Sequence, residues 1–126
     1  MRRIELEPFG VDIGPRLIAA ARRRLPGFRD NCWVAEASDW RPPRRFRYVY
    51  TLADCVPESG LREYVVRLLE RGVEPGGRLI AGSYGSRSRA EPPLDLGGLL
   101  ESFGLNVTGR TSGGDPPIAA FAWVDR

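Results

Sequence analysis

Apolar positions along the chain switch repeatedly between two periods, and that switching predicts an α/β fold. Residues 8–13 (PFGVDI) form a short apolar run ending at a carboxylate. From Pro15 the apolar positions Leu17, Ile18, Ala21 and Leu25 recur at helical spacing. Pro15 suits a first helical turn, where a missing N–H is harmless, and Pro26-Gly27 closes the helix. Residues 31–35 (NCWVA) read as a second short strand, and the polar, proline-bearing residues 36–45 as a loop. Residues 46–52 (FRYVYTL), rich in aromatic and branched side chains, read as a third strand, with Tyr50 directed at a helix layer. A helix is predicted over 61–71, with Tyr64, Val65, Leu68 and Leu69 on one face and Arg62, Glu63, Arg67 and Glu70 toward water. Residues 74–77 (EPGG) read as a tight turn, 78–83 as a fourth strand and 84–93 as a loop. A short helix over 94–103 carries Leu96, Leu99, Leu100 and Phe103 and stops at Gly104.

The last two strands, 105–111 and 118–124, are joined by SGGDPP, too short for a crossover helix, so they pair antiparallel. The earlier strands are separated by helices or long loops, as parallel neighbours require. The expectation is a single α/β domain, a largely parallel sheet with a C-terminal antiparallel hairpin, without repeat or linker.

Composition narrows the chemistry. The 126 residues suffice for one compact domain, and 42% hydrophobic against 28% charged residues exclude a disordered chain. No apolar stretch approaches the roughly 20 residues that cross a bilayer. The start, MRRIELEPFG, lacks the apolar run of a signal peptide, so the expected location is the cytoplasm. Cys32 and Cys55 form no CxxC and read as unpaired thiols. With no histidine, Ser-His-Asp, Cys-His and His-rich zinc chemistry are excluded within this chain, and no metal is expected. All nineteen basic residues are Arg, which removes a Schiff-base or P-loop lysine. The arginines at 22–24 and at 41, 44, 45 and 47 read as solvated surface or as a polyanion contact. No aromatic interleaving supports nucleic acid as a partner.

Candidate site residues lie where strands end. Asp12 closes the first strand ahead of a helix, at the rim where doubly wound sheets bind ligands; it is either a ribose-binding carboxylate or a turn carboxylate. Glu36 follows the second strand in the same way. Its carboxylate could accept from an exocyclic base amine while the Ala37 N–H donates to a ring nitrogen, or it is a solvated loop residue. Trp40 either lies against a ring or plugs the core edge. Thr51, Leu52 and Asp54 follow the third strand. Asp54 is the candidate substrate base or orienter, against a carboxylate paired with Arg or capping a turn. Ser83 and Tyr84 could line a pocket, although nothing in the chain activates the serine. No GxGxxG or GxxxxGK[ST] phosphate cradle is present.

Taken in order, PFGVDIGPRLIAAARRRLP, WVAEASDWRPPRRFRYVYTLADCVP and LLERGVEPGGRLIAGSYG resemble the class I S-adenosylmethionine-dependent methyltransferases. The closing LESFGLNVTGRTSGGDPPIAAFAWVD resembles their final helix and hairpin. The resemblance implies a Rossmann-like sheet in strand order 3-2-1-4-5-7-6, with S-adenosyl-L-methionine as cofactor and a small or medium-sized methyl acceptor. Asp12, with Ile13 beside it, falls where the family binds the cofactor ribose. Glu36 and Ala37 fall at the adenine, and Thr51 and Leu52 beside the methionine moiety and substrate. The family's first strand and its DxGxGxG loop would precede residue 1, so the chain is expected to be truncated there. Residues 1–7 would be the tail of the intervening helix. The absent strand would lie between those at 9–13 and 46–52, and a homodimer or partner subunit could complete the sheet. An inactive fragment serving as a binding or regulatory subunit is the alternative.

Overall fold

The computed structural model describes residues 5–126, and the sequence-level reading of residues 1–4 as part of a helix tail lies outside them. The chain divides into two compact units, one ending at Trp40 and the other running from Arg41 to Arg126.

In the first unit, β1 (Gly10–Asp12), α1 (Pro15–Arg24) and β2 (Cys32–Val34) form a right-sized βαβ element, with a 3-10 segment over Pro26–Asn31 before β2. The two strands are parallel, Gly10 facing Cys32, Val11 facing Trp33 and Asp12 facing Val34. Pro15 begins α1 as its fixed φ favours, and Arg22, Arg23 and Arg24 occupy the last turn, where positive charge complements the helix dipole. The Arg22 guanidinium also donates to the Cys32 carbonyl at 2.6 Å, tying the helix end to β2. Phe9 stacks on Trp33 and Trp33 tilts against Trp40, so Trp40 takes part in an aromatic cluster, as a plug would. The helical face read from sequence is only partly realised. Ile18 is buried, but Leu17 and Leu25 are exposed, because two three-residue strands cannot cover a ten-residue helix.

The second unit is a four-stranded sheet in the order β3-β4-β6-β5, made of β3 (Phe46–Leu52), β4 (Val73–Tyr84), β5 (Val107–Gly113) and β6 (Ala119–Asp125). β3 pairs parallel with β4, and β6 is antiparallel to both β4 and β5. Within each unit the strand neighbours follow the expected order. Helices α2 (Glu58–Gly72) and α3 (Leu96–Ser102) supply the core, in which Leu61, Val65, Leu96 and Leu100 are fully buried with Leu79 of β4 and Ala122 of β6. α2 begins three residues earlier than its apolar pattern indicates, after Pro57. The predicted turn at 74–77 is absorbed into a longer β4, where Gly76 supplies a φ of +82°. The chain end closes on that bend: Gly76 N–H donates to the Arg126 carbonyl and Arg126 N–H to the Gly77 carbonyl, each at 2.9 Å.

One sheet face carries Val49, Thr51, Leu79, Ala81, Ser83, Ala122 and Val124 into this core. The other presents Tyr48, Tyr50 and Tyr84, all more than half exposed. Tyr50 therefore lies opposite to the helix layer it was expected to face. Strand alternation accounts for this, since the Thr51 hydroxyl meets Tyr64 of α2 at 2.7 Å and its neighbour must point the other way.

Candidate functional site

The first unit brings Asp12, Ile13, Glu36 and Ala37 together by strand pairing. Because β1 and β2 run parallel with Asp12 facing Val34, both strands end on the same side. The Ala35 N–H extends the ladder by donating to the Asp12 carbonyl at 3.0 Å. Glu36 is the next residue, and its carbonyl accepts from the N–H groups of Asp39 and Trp40, which turns the chain away. Parallel neighbours lie about 4.8 Å apart, so the two carboxylates rise from adjacent strand tips.

Asp12 takes the turn role with one of its two oxygens. Its Oδ1 accepts from the Gly14 N–H at 2.7 Å and shapes the turn into α1, while Oδ2 has no hydrogen bond to a described residue. A side chain at Gly14 would crowd this bond, since a Cβ there would stand 3.1 Å from Oδ1. Among the described residues the Glu36 carboxylate makes no hydrogen bond or ion pair, and no backbone acceptor takes the Ala37 N–H. Ile13 is 70% exposed and Val34 48% exposed, so apolar surface flanks the two carboxylates. Sequence reasoning passed over Val34; its position as the last strand residue before the acidic tip was the available signal.

The other expected site residues belong to the second unit. Thr51 is the penultimate residue of β3, its hydroxyl committed to Tyr64, and Leu52 ends the strand half-buried. Asp54 sits in the single 3-10 turn Ala53–Cys55, exposed. Neither an Arg partner nor a capping bond to it is present among the described residues. Ser83 is buried, and its hydroxyl accepts from the Leu94 N–H at 3.0 Å, which anchors the loop before α3. Tyr84 meets Phe121 edge-on, and the Tyr50 phenol lies against that of Tyr84. Partial desolvation of its otherwise exposed ring, then the bond to Tyr84, raises the Tyr50 phenol above its ordinary pKa.

The arginines at 44–47 have local partners. Arg45 donates twice to the Glu70 carbonyl near the end of α2, Arg44 lies over Phe46 and Arg47 over Tyr48. Neither cysteine is in a disulfide among the described residues; Cys32 is buried and Cys55 exposed. Two shallow depressions of about 320 and 450 Å³ open beside α3 and beside Ser86–Glu91, and no expected site residue lines either. No helix among the described residues is long and apolar enough to cross a membrane.

No family model matches the chain, and no curated protein matches it. Solved structures do. The N-methyltransferase NodS from Bradyrhizobium japonicum WM9, in complex with S-adenosyl-L-homocysteine, is 15% identical with a TM-score of 0.69; the match covers 92% of this chain and 64% of that one. The glycopeptide N-methyltransferase MtfA, complexed with S-adenosyl-L-homocysteine, is 16% identical with a TM-score of 0.68, over 95% of this chain and 74% of that one. The 1,6-didemethyltoxoflavin-N1-methyltransferase of Burkholderia thailandensis is 15% identical with a TM-score of 0.66, over 92% of this chain and 59% of that one. At these identities the likeness is one of fold. The chain has the α/β fold of these methyltransferases and spans less than two thirds of the NodS chain.

Proposed function

We propose that this chain binds the adenosine portion of S-adenosyl-L-methionine at the tips of β1 and β2 and belongs to a methyl-transfer apparatus acting on a small or medium-sized molecule in the cytoplasm. The observation that carries the reading is the parallel pairing of β1 with β2, which ends in two carboxylates with acceptor capacity to spare. In this reading Asp12 Oδ2 accepts from a ribose hydroxyl, and the Glu36 carboxylate accepts from the adenine amine. The Ala37 N–H donates to a ring nitrogen, and Ile13 covers the adenine face. These groups fit an adenosine, whose donors meet acceptors and whose ring meets apolar surface. When bound, the cofactor supplies an activated methyl group on a sulfonium centre. What the chain contributes is binding and orientation, the dominant needs of such a transfer. Within the second unit, taken by itself, the family resemblance assigns Thr51 and Leu52 to the methionine moiety and Asp54 to orienting the acceptor or taking its proton; that the exposed Asp54 carboxylate has no hydrogen bond or ion pair among the described residues supports the assignment.

A second reading, a methyltransferase-fold subunit that binds a partner and is itself inactive, is favoured by β3, which pairs along only one edge among the described residues.

Calorimetric titration with S-adenosyl-L-homocysteine separates the two. Cofactor binding predicts micromolar affinity that falls roughly ten- to hundredfold in Asp12→Asn and in Glu36→Gln, the loss expected for a hydrogen bond to a charged group. No detectable binding by the wild type would rule out the catalytic reading for this chain.

A further inference from the structure

Two loops meet beyond the carboxyl end of β4. The first folds back at once into a small hairpin, in which Ser86 and Glu91 exchange backbone bonds at 2.8 and 2.9 Å. The second, between β5 and β6, closes by a bond from the Ile118 N–H to the Gly113 carbonyl at 2.8 Å, with Gly114 at a φ of +92°. The Gly85 N–H donates to the Ile118 carbonyl at 2.7 Å and fastens one loop to the other. The depression of about 450 Å³ lies between them, and every residue that lines it belongs to the second unit. Backbone bonds set its walls, so it is formed before any ligand arrives. Pro92, Pro116, Pro117 and Ile118 make much of the lining apolar. Beside them stand one cation and two anions, Arg87, Glu91 and Asp115. None of these three side chains has a hydrogen bond or ion pair among the described residues, so opposite charges border one space without neutralising each other. Arg78 and Arg110 of the same unit, by contrast, pair with Asp125 and Glu101.

We propose that this depression binds an amino-acid-like molecule that carries one carboxylate and two ammonium groups on an aliphatic stem. The charges around the space select that class. The Arg87 guanidinium offers a planar fork of donors, which a carboxylate meets with both oxygens. Glu91 and Asp115 are acceptors only, and each is answered by an ammonium group. The methylene stem lies along the prolines and Ile118, burying apolar surface while its charged ends stay at the rim. A simple amine leaves Arg87 unanswered. A simple carboxylic acid meets two like charges, and the surplus of negative charge turns away phosphates. This site uses no part of the cofactor reading and stands whether or not that reading holds.

Amide-resolved NMR titration of the full chain, without cofactor, tests it with three probes. L-lysine carries all three charges, cadaverine lacks the carboxylate, and 6-aminohexanoate lacks the α-ammonium group. L-lysine should bind saturably, shifting the amides of Gly85, Glu91, Gly114 and Ile118, and about tenfold more tightly than either of the others. Arg87→Gln should bring L-lysine down to the affinity of cadaverine and leave cadaverine itself unchanged. Glu91→Gln and Asp115→Asn should each weaken L-lysine, and one of the two should leave 6-aminohexanoate unaffected. All three positions are exposed, and unchanged cadaverine binding by Arg87→Gln will show that the depression is intact. Absence of a saturable shift in the wild type would overturn the proposal. So would cadaverine or 6-aminohexanoate binding as tightly as L-lysine, or an Arg87→Gln variant that still prefers L-lysine to cadaverine. Failure here leaves the calorimetric test of cofactor binding unaffected.

Discussion

The hydroxyls of Thr51 and Tyr64 meet at 2.7 Å in the interior of the second unit, where Thr51 is 8% exposed and Tyr64 5%. Tyr64→Phe removes one partner and leaves the Thr51 hydroxyl buried without a bond, which costs about 1–3 kcal/mol. Thr51→Val keeps the side-chain shape and strands the Tyr64 hydroxyl instead, at a similar ~1–3 kcal/mol. Making both changes removes the pair entirely and leaves nothing stranded, so the double variant should lie within roughly 1 kcal/mol of the wild type. The coupling between the two sites, the summed single losses less the loss in the double variant, is therefore at least about 1 kcal/mol and about 3 kcal/mol at the middle of these ranges, above the ~0.5 kcal/mol scatter of independent positions. Urea unfolding of all four proteins, followed by tryptophan fluorescence and fitted with a common slope, measures it. Additive losses would refute the claim that this bond locks β3 to α2, and with it the orientation of the strand end carrying Leu52 and Asp54.

Glycine substitutions should divide by what the new Cβ meets. At Gly77 it would stand 2.6 Å from the Arg47 carbonyl oxygen and 2.9 Å from that of Glu74, backbone that cannot yield, so Gly77→Ala should lower stability by roughly 1–3 kcal/mol. At Gly97 in α3 the nearest atoms it would meet belong to the Arg110 guanidinium, a flexible, half-exposed group whose exposed pairing with Glu101 is weak enough to shift, and helix propensity favours alanine by about 1 kcal/mol. Gly97→Ala should be neutral or stabilising in the same urea assay, and equal losses at the two positions would contradict the packing described. Alkaline titration offers a further check. Burial raises the Tyr64 phenol above its ordinary 10.0, more than the Thr51 bond lowers it, so the folded state holds this proton more tightly than the unfolded one. Its contribution is complete below pH 10.0 and is lost as pH rises through the higher folded value. Unfolding midpoints should fall above that pH, less steeply in Tyr64→Phe; identical slopes would argue against it.

The periodic signals in the sequence were strong where one element covers another. The α2 stripe of Tyr64, Val65, Leu68 and Leu69 is buried as its spacing indicates, and SGGDPP does join an antiparallel pair. They misled where cover is thin. Leu17 has the right helical spacing for a core yet is 64% exposed, because periodicity reports which face is apolar and not whether anything packs on it. The expectation that Tyr50 points into a helix layer fails because a strand of mixed aromatic and polar residues has two plausible insides; the Thr51–Tyr64 bond, a contact across thirteen residues, settles that Thr51 faces α2 and leaves Tyr50 53% exposed. At the candidate site, Asp12 and Glu36 were recognisable as strand-end carboxylates. Their adjacency depends on the β1–β2 register, and the division of labour between the two Asp12 oxygens depends on the turn at Gly14.

Amide-resolved NMR during titration with S-adenosyl-L-homocysteine asks most directly whether the acidic strand tips grip an adenosine. Shifts concentrated at Ile13, Gly14, Glu36 and Ala37, and abolished by Asp12→Asn, are the predicted result. An unperturbed spectrum, or shifts that leave those four amides in place, would contradict it.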